Sequence, residues 1–331
     1  MRKALSSGAR SQNPSRRAFL LGTAAGLIAA RARAADTSRP VEMTAARSAD
    51  ELTVRLGTRD LLTYRLKKPA GSPLAVESGC YYHPLLTPGG TVVTEVAPDD
   101  HTHHRGLFLA WVEMKGAKDA DFWGWGERAP TRNRRIQNRL VEPAPPEMGS
   151  LRFRVVNDWM AEGRRLLTED QRVIVTRQEG ANVLHLAVQL SVEAEVTLAR
   201  CAFGGLALRS PKAGKLVAIG EGGEVRRPAP KHTDPASDWP DAPWYGLHLK
   251  RPDGKEATVA VVGRAANPPT AWHVVSAIGL INPCITAPAA VRLVPGKPLV
   301  LRYSVMAFDG PPNLPAIQRA AASWYGTATA R

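Results

Sequence analysis

The chain has 331 residues, 44% of them hydrophobic and 22% charged, enough to bury a sizeable core. Its formal charge of +14 falls by half once the first 34 residues, with seven basic side chains and no acid, are set aside. The remaining arginines are scattered, with Arg132, Arg134 and Arg135 the densest group; that fits a solvated face, argues against nucleic acid, and leaves an anionic substrate open. Three cysteines, Cys80, Cys201 and Cys284, form no C-x-x-C pair, which excludes a zinc ribbon. One disulfide with one thiol left over, or three buried thiols, both fit.

Residues 15–20 read S-R-R-A-F-L, a twin-arginine pattern, and an apolar small-residue run to Ala30 leads to A-R-A at 32–34. Residues 1–34 are therefore predicted to be an export signal cut after Ala34, with the twin-arginine translocase as a transient partner. The run is too short and too rich in glycine and alanine for a stable membrane span. The expected location is periplasmic or secreted, and the mature chain is residues 35–331.

Short runs with period-two apolar alternation then recur at residues 52–56, 61–66, 91–96, 107–112, 151–156, 172–176, 183–190, 244–249, 257–262 and 299–308, divided by P-G-G, E-G-G and P-D-G turns. Clear helical periodicity occurs at residues 316–325, after Pro315. The predicted fold class is all-β: one large antiparallel β-sandwich domain over residues 35–331 with a short C-terminal helix. Two smaller β domains, with a break near residues 143–146, are the second choice. No G-x-G-x-x-G or G-x-x-x-x-G-K occurs, so no nucleotide cofactor is expected.

The chemistry concentrates in residues 99–127, which hold three of the eight histidines and three of the eight tryptophans. An extended Asp99–Arg105 would place Asp99, His101, His103 and Arg105 on one side and Asp100, Thr102 and His104 on the other, at the mouth of a buried strand over 107–112. His83 precedes the cluster beside two tyrosines and could complete a binding wall. Residues 231–248 hold His232, Asp234, Asp238, Trp239, Asp241, Trp244, Tyr245 and His248 in a proline-broken loop and the strand after it. Such aromatic and acidic loops are typical of sugar clefts. His248 is read as facing a cleft and His185 as structural. His273 accompanies two Asn-Pro turns, at Asn267 and Asn282, that can present side-chain amides.

These marks, taken in order, resemble the exported bacterial family named methane-oxygenase-like, the PmoA family. They are Y-H-P at 82–84, D-H-T-H-H-R-G-L at 100–107, D-F-W at 121–123, Asn267-Pro268 through Trp272-His273, Gly279-Leu280 through Asn282-Pro283, and L-R-Y at 301–303 before Asp309-Gly310. The resemblance implies a sandwich like galactose-mutarotase domains and a role in sugar breakdown.

The first expectation is a periplasmic carbohydrate-active hydrolase, lyase or isomerase acting on a small sugar or oligosaccharide. His103, His104 and His273 would transfer protons and Arg105 would stabilise negative charge. Trp123, Trp244 and Trp272 would stack on sugar; Asp100, Asp121 and Glu127 would serve as carboxylate partners, with His83, His248, Asn267 and Asn282 completing the binding wall. The second is a metal-dependent oxidoreductase with iron held by His101, His103 and Asp99, or copper or zinc with His83 or His273 added. The third is a non-catalytic sugar-binding protein.

Overall fold

Why the alternating runs form strands is clear from what each side meets. The computed structural model describes residues 42–326 except 78 and 146. Its first sheet has eight strands in the order Met43–Arg47, Glu51–Leu56, Arg59–Arg65, Tyr81–Leu85, Leu107–Trp111, Gly204–Arg209, Leu280–Cys284 and Ala271–Val275. The second has nine, in the order Gly223–Glu224, Lys215–Gly220, Trp244–Lys250, Glu256–Val262, Leu299–Asp309, Ala181–Ser191, Arg164–Gln178, Ser150–Ala161 and Arg134–Pro143. The strand pairs in both are antiparallel, and a three-stranded ribbon of Val291–Leu293, Val196–Leu198 and Met114–Lys115 stands beside them.

The two sheets share one apolar core, so alternate residues such as Leu184, Leu186, Val188 and Leu190 point inward while their neighbours point away. Part of the outer face of the nine-stranded sheet, around Val183, Trp244, Ala260 and Met306, is apolar as well, because the helix Leu314–Gly326 lies on it. Asn313 caps that helix, accepting from the Ala316 N–H at 3.2 Å. Ala316, Ile317 and Ala321 then pack on Val183, Trp244, Ala260 and Met306. Each fully buried residue of Ile317's size contributes roughly 1.5–3 kcal/mol.

One expectation changes. Residues 91–96 make only isolated bridges, Val92 to Leu86 and Val96 to Arg105, because Thr94 and Glu95 bond across a gap rather than along a neighbour: Thr94 Oγ1 accepts from Leu85 N–H at 3.0 Å, and Glu95 N–H donates to Arg209 C=O at 2.9 Å. The three cysteines are separate buried thiols. The export signal over residues 1–34 lies outside the described residues.

Candidate functional site

The histidine run is a pair of turns rather than an extended segment. His101 N–H bonds to Pro98 C=O and His104 N–H to His101 C=O, both at 2.9 Å. The rings therefore gather instead of alternating: His101 stacks on His104 with centroids 4.7 Å apart, and His103 meets His104 edge-on at 4.6 Å. Arg209, at the end of the adjacent strand, anchors the loop. Its fully buried guanidinium donates to Asp100 Oδ1 at 2.7 Å, Glu95 Oε2 at 3.4 Å and His104 Nδ1 at 3.3 Å. Arginine only donates, so His104 Nδ1 accepts and the neutral ring carries its proton on Nε2. Burial first, then the nearby histidines and arginines, pushes the His104 pKa far below the usual imidazole range and that of His103 down to about 4. Both rings are neutral at neutral pH. Partial burial pushes the Asp100 carboxyl up, but Lys212 at 2.6 Å and the charge of Arg209 outweigh it and hold it well below the carboxylate range.

A tryptophan loop closes over this cluster. Asp121 is fully buried and accepts from the backbone N–H groups of Gly124 at 2.7 Å and Gly126 at 2.5 Å, while its carbonyl accepts from the Arg134 guanidinium. Burial pushes its pKa up against those hydrogen bonds. Gly124 has φ +106°, and a Cβ there would stand 2.7 Å from His103 Cβ, so only glycine lets the loop sit this close. The loop thereby places Trp123 edge-on to His104 at 5.7 Å and stacked on Phe203 at 5.2 Å. Phe203 also meets Trp125 at 5.8 Å and His273 at 4.5 Å.

On the strand Ala271–Val275, Trp272 and Val274 enter the core while His273 and Val275 line a cleft of about 410 Å³. His101, His103, His104, His232 and His273 all line it, five of the eight histidines, together with Asp100, Trp123, Trp125 and Phe203. Behind His273, Asp238 Oδ1 lies 2.7 Å from Nδ1, and both side chains are buried, 0% exposed for Asp238 and 3% for His273. With the carboxylate as acceptor, Nδ1 carries the proton and Nε2 is the nitrogen left to act as base. Asp238 Oδ2 has no hydrogen-bond partner among the described residues. The arrangement can accept a proton at His273 and donate a hydrogen bond from His104.

The profile of a family of unknown function, DUF6807, matches residues 51–324. The chain belongs to that family. No curated protein matches it. Among solved structures it is similar to two GH36 α-galactosidases from Geobacillus stearothermophilus. They are AgaA, at 12% identity and TM-score 0.38 over 81% of this chain and 41% of that one, and AgaB, at 11% and 0.39 over 82% and 40%. A heparinase III follows at 9% identity and TM-score 0.33, over 82% of this chain and 36% of that one. The chain spans less than half the length of each.

Of the sequence-predicted residues, His101, His103, His104, His273, Asp100 and Trp123 line the cleft of this DUF6807 member. The others lie elsewhere. Arg105 is fully buried over the Phe108 ring at 4.4 Å and donates to the carbonyls of His103 and Phe122, so it braces the loop; burial lowers its pKa to about 9. Asp121 organises backbone. Glu127 is exposed and outside the cleft. His83 bonds Thr94 Oγ1 at 3.0 Å, and His248 bonds Glu256 at 3.0 Å in the other sheet. Trp244 is in the core under the helix, and Trp272 packs on Tyr245 at 5.2 Å. Asn267 exchanges two hydrogen bonds with the Arg302 backbone, and Asn282 accepts from Gly204 N–H and donates to Leu206 C=O at 2.6 Å, which fixes the backbone beside Phe203.

The proposed iron set does not assemble. Asp99 is at an exposed turn, and among the described residues no group of three or more histidine, cysteine, aspartate or glutamate side chains is arranged to hold one metal ion. Residues missed from sequence are Phe203, Trp125, Arg209 and, as site members, His232 and Asp238. The aromatic and acidic density of residues 231–248 was the available signal for the last two; Arg209 and Phe203 carried none.

Proposed function

We propose that this protein is a carbohydrate-active enzyme whose cleft performs acid–base chemistry on a sugar, with His273 as general base and Asp238 as the positioning residue that holds its tautomer. The observation that carries this reading is the buried Asp238–His273 pair opening onto an aromatic cleft. Trp125 and Phe203, both half-buried, give the accessible faces on which the C–H side of a pyranose would lie, with Trp123 supporting Phe203 from behind. Hydrolysis, elimination and isomerisation of a sugar share one step, removal of a proton from oxygen or carbon. His273 Nε2 takes that proton, and Asp238 stabilises the resulting imidazolium. His104 Nε2–H, neutral and fixed by Arg209, is the hydrogen-bond donor available to an oxygen that gains negative charge.

Export through the twin-arginine route, with action in the periplasm, belongs to the same proposal and rests on residues 15–34. The test is a panel of glycosides and oligosaccharides incubated with the protein and followed by mass spectrometry. A new product from at least one member, absent with His273→Ala, is expected. A product that forms equally with His273→Ala refutes the assignment of the base.

A further inference from the structure

Beyond the cleft, two hollows of about 860 Å³ and 600 Å³ meet at Glu77 and Arg135 to make one groove. Its wall is the last strand of the nine-stranded sheet, Arg134–Pro143, which pairs on one side only. Alternation along that strand turns Arg135, Gln137 and Arg139 outward, in steps of roughly 6.5–7 Å. Arg132 stands at the strand's start, and Arg47, Lys67 and Lys68 line the opposite side. With Arg134, seven cations line the groove against two carboxylates, Glu77 and Glu162, although Lys67 pairs with Asp50 at 3.0 Å and Arg139 lies 3.7 Å from Asp158. Glu77 is already paired with Lys68 at 2.9 Å.

Charged residues on an edge strand also discourage edge-to-edge pairing, so exposed arginines alone decide little. Arg134 decides more. It is 5% exposed, yet it lines the groove, and its guanidinium donates to the Asp121 carbonyl without an ion pair to any carboxylate of the described residues. The charges of Asp121 and Glu77 act on this guanidinium from nearby, but neither carboxylate pairs with it directly, which leaves it able to draw an anion into the groove. The groove also abuts the cleft. Gly124 lines the groove and presses on His103, which lines the cleft, so a chain could pass from one to the other around the tryptophan loop.

We infer that this groove binds the acidic part of a carboxylate-bearing polysaccharide, part of whose chain lies in the cleft. The inference rests on the sugar reading of the cleft, and its test separates the two. Polygalacturonate and neutral dextran are titrated into the full-length chain at low salt and at 0.5 M sodium chloride, with wild type and with the Arg132→Gln/Arg135→Gln/Arg139→Gln variant. The wild type is expected to bind polygalacturonate in preference to dextran. Added salt and the triple substitution should each weaken that binding by about tenfold or more, because exposed charges are screened within about 10 Å or less at such ionic strengths. No binding of polygalacturonate, equal binding of dextran, or a variant that binds as the wild type does would each overturn the groove assignment. The salt dependence of the wild type needs no variant to fold. If polygalacturonate binds but yields no His273-dependent product, and no glycan does, the groove stands and the cleft chemistry falls. His273-dependent turnover of a neutral oligosaccharide without polygalacturonate binding has the opposite meaning.

Discussion

Asp238 and His273 are 35 residues apart in sequence, and their contact is what separates a reactive imidazole from a structural one. His248 offers the contrast: it too has a carboxylate partner, Glu256 at 3.0 Å, but in the other sheet, away from the cleft. On the substrate found in the glycan panel, His273→Ala should lower kcat by about 10²–10⁴, the usual worth of a positioned acid or base, whereas His248→Gln should leave kcat within a few-fold. Steady-state kinetics of the two variants checks this. Arg209 is the second decisive residue. Arg209→Met removes the buried guanidinium from Glu95 and from Asp100, which keeps Lys212, and the expected loss is about 2–3 kcal/mol in urea unfolding. That is below the full value for breaking a buried pair, because both carboxylates keep some water. The histidines also set a pH dependence. His83, His103 and His185 have pKa values lowered to about 4, chiefly by burial, and His104 lower still. Between pH 6.5 and 4 the unfolded chain binds protons that the folded chain refuses, so stability is full above about pH 6.5 and falls as pH drops toward 4. Each such group adds about 1.4 kcal/mol per pH unit to the slope. Urea midpoints measured across that range should fall with acid, and more gently in His103→Gln.

At the level of elements, the tryptophan loop at 121–126 is a device for building the cleft wall. Asp121→Ala removes the acceptor for two backbone N–H groups and should cost about 2–4 kcal/mol. It should also raise KM more than it lowers kcat, with a red shift in tryptophan emission as Trp123 and Trp125 loosen. Gly124→Ala meets the same loop from the other side, through its positive φ and the 2.7 Å approach to His103. It is expected to cost about 1–3 kcal/mol. The strands themselves were legible in the alternation, because period two reports directly which side of a sheet is buried. Residues 107–112 read as a doubly buried strand, and Leu107–Trp111 is buried throughout. Residues 91–96 carried the same pattern without forming a strand, since alternation reports burial and not which neighbour takes the hydrogen bonds. Asp99–Arg105 failed for a related reason. An extended run and two successive turns are equally polar, and the choice between them depends on Arg209, about a hundred residues later.

Over the whole molecule, sequence pattern gave the all-β class, while the cleft is a product of topology. Four strands, Leu107–Trp111, Gly204–Arg209, Leu280–Cys284 and Ala271–Val275, lie side by side and bring together histidines from three distant stretches. Tryptophans 244 and 272 were plausible sugar platforms by type, yet the core claimed them, because large aromatics stabilise by burial wherever space allows. The measurement that tests the account most directly is 15N NMR of the imidazole nitrogens in the folded protein at neutral pH, assigned with His273→Ala. The account predicts His273 protonated at Nδ1 with Nε2 unprotonated, and loss of that fixed tautomer in Asp238→Asn. A neutral His273 protonated at Nε2, unchanged by Asp238→Asn, would contradict it.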